Sequence, residues 1–268
     1  MAEFLNRWSC HRLECLTEFL RSCDADVLLD IYAGPPAFSC KESECTTEGL
    51  EIRLIKANAF SQMLLLCKKP EQALMLKQAV EQLGAADSAK VFTGSCFRDL
   101  VMRSVFDSVP RSAHGVALVN PTGYALLRWS VIKNLARHGI DWQGRKMDLC
   151  IVFPLEMSLL RNLLRPECKN SISRLYGGDE WQPVRDKLAE HKITPAKARR
   201  ELVEIFKSNL KKLGYKHVED VEPARFTSPP YYHIIWASDG ASRIKELTAA
   251  WGKERYLACE MFHRDGNA

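Results

Sequence analysis

The 268-residue sequence is 46% hydrophobic and 26% charged, which favours one globular domain over residues 1–268 with a substantial core. Its formal net charge of +5 is compatible with a polyanionic partner but does not require one. No apolar run reaches membrane-spanning length and the N-terminus lacks a signal-peptide pattern, so we expect neither a signal peptide nor a membrane span. We expect a cytoplasmic chain whose ten cysteines are reduced thiols without disulfides.

Short apolar runs alternate with amphipathic segments up to residue 153. Apolar residues at helical spacing predict a helix over residues 3–23, followed by a buried strand from Val27 into the turn Gly34-Pro35-Pro36. Further strands are predicted at residues 62–67, 90–93, 114–119 and 147–153, with helices at 50–60, 70–84, 97–109 and 125–138. This alternation implies right-handed crossovers and a three-layer α/β/α fold with a mostly parallel sheet.

The pattern changes after residue 153. Residues 155–164 favour a helix, and the polar stretch 165–194 is interpreted as an insertion or lid. A basic amphipathic helix is predicted at 195–213, two late strands at 215–221 and 231–237, and a last helix at 241–251. Residues 39–49 are polar and are assigned no regular structure.

Six stretches in this order carry a resemblance to a known family. They are LDIYAGP (29–35), NPTG (120–123), DLCIVFPLEMSLLRN (148–162), YGG (176–178) with Trp181, LGY (213–215) and YYHIIWAS (231–238). Together they resemble the three-Cys-motif partner protein (TcmP) family over roughly residues 25–252. The resemblance implies a class I methyltransferase-like Rossmann fold. The three cysteines in the family name belong to a partner protein, so the cysteines of this chain gain no role from it.

The resemblance implies that S-adenosylmethionine (SAM) binds at the loop after the first strand. The backbone approaches this cofactor closely, which requires small residues such as Ala33 and Gly34. Three departures are present: Pro35-Pro36 replaces a second glycine, Cys67-Lys68-Lys69 stands where an acid binds the ribose hydroxyls, and Ser95-Cys96 stands where an Asp binds adenine. We therefore expect a degenerate cofactor site, and its candidate residues are Asp30, Tyr32, Ala33, Gly34, Lys68, Ser95 and Cys96.

The turn Asn120-Pro121-Thr122-Gly123-Tyr124 follows the predicted strand 114–119. Amino-group methyltransferases use an Asn-Pro-Pro-aromatic turn here, in which the Asn oxygen and the next carbonyl accept both N–H bonds of an exocyclic amine and the ring stacks on the base. This predicts Asn120 and Pro121 as amine acceptors and Tyr124 as the stacking residue, one position later than in that pattern. The alternative is a strand-to-helix turn in which Asn120 caps the following helix and Pro121 begins it.

Basic residues of the helix over 195–213 are suited to a phosphate backbone, with a solvated face as the alternative. The candidates for nucleic-acid contact are Lys197, Arg200, Lys207 and Lys211. Arg161 and Asn162 follow the fifth strand and are candidates for orienting a substrate; an ion pair with Asp148 or Asp179 is the alternative. Cys40-x4-Cys45 lacks the compact spacing of structural zinc sites, so no metal site is predicted.

Three functional hypotheses follow from these observations. The leading one is a SAM-dependent N-methyltransferase acting on a nucleobase or a related amine. The alternative is a catalytically silent methyltransferase-like module with a degenerate cofactor site that binds a protein partner or forms a complex. A third is that Lys68 and Lys69 bind a phosphate-bearing nucleotide. The sequence leaves the oligomeric state and the identity of any partner open.

Overall fold

The computed structural model describes residues 4–5, 7–40, 46–138, 140, 144–222 and 232–251. The chain divides into two compact units, Met1–Gly115 with Glu246–Ala268 (the first unit) and Val116–Lys245 (the second unit). The single domain expected over residues 1–268 stays a prediction.

Ten strands and nine helices are found in the described part of the chain. The strands are β1 (Phe4–Leu5), β2 (Val27–Asp30), β3 (Ala37–Cys40), β4 (Thr46–Glu48), β5 (Gln62–Cys67), β6 (Ala89–Thr93), β7 (Gly115–Val119), β8 (Asp148–Phe153), β9 (His217–Val221) and β10 (His233–Ser238). The helices are α1 (Arg7–Arg21), α2 (Leu50–Lys56), α3 (Pro70–Gln82), α4 (Asp99–Phe106), α5 (Trp129–His138), α6 (Lys169–Tyr176), α7 (Gln182–Ala189), α8 (Pro195–Lys212) and α9 (Ile244–Trp251).

In the first unit, β5 lies between β2 and β6 and is parallel to both. All four residues of β2 and five of six in β5 are buried, because both faces of a parallel sheet are covered by helices. The N-terminal region forms a second, small sheet in which β3 pairs with β1 and β4. The polar stretch 39–49, left without regular structure by the sequence, therefore contributes to strands; residues 41–45, including Cys45, lie outside the described residues.

In the second unit, β7 and β8 are parallel, and β10 is antiparallel to β8 on one side and β9 on the other. The stretch 165–194, interpreted as an insertion or lid, contains α6 and α7, and Trp181 between them is fully buried. Gly177 ends α6 with φ +75°, and a Cβ there would lie 2.1 Å from Trp129 Cδ1. The stretch is thus packed against α5, and its role as a lid stays a prediction.

The strand order is β6-β5-β2-β7-β8-β10-β9, with β10 antiparallel to its neighbours. This is a mostly parallel seven-stranded sheet with flanking helices, so the predicted Rossmann-like α/β class is confirmed. Within the described ranges, no helix combines the length and the apolar character that crossing a membrane requires.

Candidate functional site

Asp30 ends β2, and its carboxyl group is buried beside that of Glu51 in the first turn of α2. Only 2% of Asp30 and 3% of Glu51 are exposed. The Tyr32 N–H donates to Asp30 Oδ1 (2.8 Å), and the Gly34 N–H donates to Glu51 Oε1 (2.9 Å). The two carboxyl groups also share a hydrogen bond. This acid pair, Asp30 and Glu51, fastens the loop after β2 to α2.

Burial raises the pKa of both carboxyl groups of the acid pair. For Asp30, the negative charge of Glu51 raises the pKa further. For Glu51, hydrogen bonds from backbone N–H groups, that of Gly34 among them, and from Asp30 oppose the rise in pKa because they stabilise the ionised form. The pair therefore retains a proton at pH values where ordinary carboxyl groups have lost theirs.

The loop between the two acids is closely packed by the chain itself. Ala33 is 4% exposed, and its N–H donates to the Leu66 carbonyl (3.1 Å). A Cβ on Gly34 would lie 3.2 Å from Phe38 Cζ, so a larger residue here would require the Phe38 ring to shift. Tyr32 is half-buried.

The other predicted cofactor residues lie at the ends of β5 and β6. Cys67 is fully buried, and burial together with the nearby acid pair raises the pKa of its thiol to about 12. Lys68 beside it is exposed. Ser95 is half-buried, and its Oγ accepts the Phe97 N–H (3.3 Å); Cys96 is 5% exposed.

This donor set fits one end of SAM and not the other. The carboxyl oxygens of the acid pair can accept hydrogen bonds from the ammonium group, and the Ser95 hydroxyl can form a hydrogen bond with adenine. Lys68 offers no acceptor to the ribose hydroxyls. The residues present can therefore bind the amino-acid end of the cofactor, and they bind its ribose more weakly.

Asn120 follows β7, at the carboxyl end of a buried parallel strand. Its Oδ1 is buried and accepts no hydrogen bond from the residues that the structure describes. The next helical turn, at residues 124–126, begins after Gly123, and α5 begins only at Trp129. Asn120 therefore caps no helix and Pro121, which is buried, begins none, so the alternative interpretation of this turn is wrong.

Tyr124 fixes this turn to the segments that follow β8. Its N–H donates to Ser158 Oγ (2.9 Å), and its hydroxyl lies 3.0 Å from Ser171 Oγ on α6. Only 8% of Tyr124 is exposed, and burial raises the pKa of its hydroxyl. Its role as a stacking residue stays a prediction, since the ring is largely covered.

Asn162 belongs to the same network. Its Nδ2 donates to the Ser158 carbonyl (2.6 Å), and its Oδ1 accepts the Cys168 thiol (3.7 Å). Ser158 lies in a stretch of π-helix, Leu155–Leu160, a geometry frequent at functional sites. Arg161 is exposed and forms no ion pair with any described residue, so the alternative of a pair with Asp148 or Asp179 is not found.

The predicted basic surface of α8 is present only in part. Lys197, Arg200 and Lys211 are exposed. Lys207 is not on that surface: its side chain is 13% exposed, and its Nζ lies 2.6 Å from Asp220 and 2.8 Å from Glu204. These carboxylates raise the pKa of Lys207 against the effect of burial, so this lysine joins α8 to β9. The described residues contain no His, Cys, Asp or Glu cluster suited to a metal ion.

Sequence reasoning missed Glu51 and Ser158. Glu51 stands between Leu50 and Ile52 in an apolar helix, and a carboxylate in such surroundings was the available signal for a buried partner. Ser158 offered no comparable signal, because its role depends on where the turn after β7 meets the π-helix.

The sequence matches no known protein-family model, and no curated protein sequence is significantly similar to it. Similar solved structures include the methyltransferase domain of bacterial CtHen1-C, at 14% identity and TM-score 0.48 over 88% of this chain and 100% of that one. The B. subtilis m1A22 tRNA methyltransferase TrmK is 13% identical, with TM-score 0.42 over 88% and 72% of the two chains. An O-methyltransferase from Bacillus cereus, in complex with SAH, is 12% identical, with TM-score 0.43 over 87% and 81%.

At these identities the similarity concerns the fold alone. The strand order and the antiparallel β10 define a Rossmann-like α/β fold.

Proposed function

We propose that this chain is a SAM-dependent methyltransferase that acts on the amino group of a nucleobase or a related amine. The observation that carries the proposal is the buried Asn120 Oδ1, which has no donor among the described residues. An unsatisfied buried acceptor costs about 1–3 kcal/mol, so its presence favours a ligand that donates an N–H to it.

The chain's own residues would act by positioning. Asn120 Oδ1 accepts one N–H of the amine and the Pro121 carbonyl accepts the other, which orients the nitrogen lone pair away from both acceptors. The contacts of Tyr124 with Ser158 and Ser171 hold this turn rigid. SAM, when bound, would supply an electrophilic methyl group and leave as S-adenosylhomocysteine, and the amine nitrogen would release one proton to water. Ala33, Gly34, Ser95 and the acid pair are the residues proposed to hold it.

The resemblance to the three-Cys-motif partner protein family supports this proposal at a finer level. The stretch from Asp30 to Gly34 forms a tight loop, as expected for a backbone that approaches a ligand. Membership in that family, a protein partner and a cytoplasmic location are parts of the proposal.

Calorimetric titration with SAM and S-adenosylhomocysteine tests cofactor binding. Lys68→Glu places a carboxylate where the ribose hydroxyls lack an acceptor, and Lys68 is exposed, so the fold tolerates the change. We expect wild-type binding and about tenfold tighter binding by Lys68→Glu, since two hydrogen bonds to a charged group exceed 1.4 kcal/mol. The matched control is Lys77→Glu on α3, which changes the charge equally and leaves affinity unchanged. Absence of binding by wild type and Lys68→Glu would contradict the proposal.

The second candidate is a catalytically silent module that uses the same fold for complex formation. It is favoured by Glu51, which already takes the Gly34 N–H that would otherwise face a ligand, and by the missing acid after β5. A folded protein that binds neither compound supports this candidate.

A further inference from the structure

We infer that the substrate of the proposed reaction is a base within a single-stranded polynucleotide, whose phosphates contact a basic rim formed by Arg161, Arg165 and Lys169. The inference rests on the proposed function and deepens it, because it names the substrate class.

The basic rim consists of three exposed cations close together in sequence. Arg161, Arg165 and Lys169 are all exposed, and none forms an ion pair within the described ranges. The intervening segment has one carboxylate, Glu167, and Lys169 also acts at longer range on Asp179. Three like charges within nine residues repel one another, so an anionic ligand stabilises this arrangement.

The rim is tied to the turn that carries Asn120. Arg165 is near enough to the Tyr124 hydroxyl for its charge to act on that group. Lys169 begins α6, whose Ser171 contacts the same hydroxyl (3.0 Å). Arg161 precedes Asn162, which binds the Ser158 carbonyl, and Ser158 Oγ accepts the Tyr124 N–H. The three cations therefore lie on segments that contact Tyr124 or Ser158, within the turn that carries Asn120 or against it.

The acceptor and the rim together favour a polynucleotide strand. One phosphate cannot neutralise three separate cations, whereas successive phosphates of a strand can. Asn120 Oδ1 is buried, so a base must leave its stack and its pairing partner to reach it, which favours a single strand over a duplex. Leu164, 51% exposed between Arg161 and Arg165 in sequence, offers apolar contact to a neighbouring base.

Fluorescence anisotropy with a labelled 12-nucleotide single strand, as RNA and as DNA, tests the inference. The triple variant Arg161→Ala/Arg165→Ala/Lys169→Ala should bind at least about tenfold more weakly. Its slope of log affinity against log salt should fall by about 2, since each phosphate contact on a single strand contributes about 0.7. The matched triple variant Lys77→Ala/Arg103→Ala/Arg111→Ala removes the same charge from exposed positions of the first unit and should bind like wild type.

Equal losses in the two triple variants, or no loss in the rim variant, would overturn the inference. The inference would also be overturned if free AMP or a duplex bound to the basic rim with the same affinity as the single strand. Asn120→Ala separates this inference from the proposed function, because it should keep strand binding within about threefold while losing methyl transfer. Strand binding that depends on the basic rim, in a protein that does not bind SAM, would support the inference about the rim and contradict only the proposed reaction.

Discussion

Asp30 ends one buried parallel strand and Asn120 follows another, yet only the polar groups of the first have hydrogen-bond partners among the described residues. Asp30 and Glu51 bind each other and two backbone N–H groups of their own unit. Asn120 Oδ1, equally hidden from water, accepts nothing from the described residues. A fully partnered buried group stabilises the fold even without a ligand, whereas an unpartnered one is retained at a cost in stability and favours a ligand that supplies the missing partner.

The largest expected effect is on the acid pair. Glu51→Ala leaves the Gly34 N–H and the Asp30 carboxyl group without their partner, so we expect a loss of about 3 kcal/mol in the free energy of unfolding. Urea denaturation measures it. The control is Glu48→Ala, which removes an exposed ion pair with Lys56 and should cost less than about 1 kcal/mol. Similar losses in both variants would show that the acid pair is not part of the structural framework.

The same pair predicts a pH dependence with a definite sign. The raised pKa of Asp30 means that the folded state keeps a proton that the unfolded chain loses near pH 4. Its contribution to stability is therefore complete below the unfolded pKa and is lost as the pH rises toward the folded pKa, by up to about 1.4 kcal/mol per pH unit. Asp30→Asn keeps the hydrogen bonds without the proton. Its unfolding free energy, compared with wild type at pH 5 and 7, should fall less over this interval; parallel curves would contradict the assignment.

Two asparagines of the second unit, one buried and one half-buried with a buried Oδ1, make the sharpest comparison. Asn209 is 6% exposed, donates to the Tyr176 carbonyl (3.1 Å) and accepts from Lys212 (3.1 Å). Asn209→Ala should cost about 1–3 kcal/mol, whereas Asn120→Ala removes an unsatisfied acceptor and should leave stability unchanged or raise it by up to about 1 kcal/mol. Urea unfolding of both variants measures these changes. A loss of unfolding free energy in Asn120→Ala as large as in Asn209→Ala would mean that Asn120 Oδ1 has a hydrogen-bond partner within the protein.

The smallest expected effect comes from removing the hydrogen bond between the Tyr124 N–H and Ser158 Oγ. Ser158→Ala removes the acceptor of the Tyr124 N–H and should cost about 1 kcal/mol in unfolding free energy. It should also lower methyl transfer, since the turn is less firmly held. Transfer at the wild-type rate, in a variant that shows the stability loss, would mean that Tyr124 does not position the turn.

Local sequence patterns predicted most of the strands but did not predict which strands and side chains contact one another. The apolar run at Gln62–Cys67 is β5 without change, because a buried parallel strand is apolar along its whole length. The small sheet of β1, β3 and β4 was missed, since its strands are only two to four residues long and β1 pairs with β3 across more than 30 residues of sequence. Whether Asn120 caps a helix depends on where α5 begins. The burial of Lys207 depends on its ion pair with Asp220. Neither follows from the spacing of residues in the sequence.

Transfer of a radiolabelled methyl group from SAM to a single-stranded oligonucleotide, by wild type and Asn120→Ala, tests the central claim most directly. The account predicts transfer by wild type and at least about a hundredfold loss in the variant, whose unfolding free energy is not reduced. Transfer by Asn120→Ala at the wild-type rate would contradict the claim that the unpartnered acceptor of this turn binds the amine.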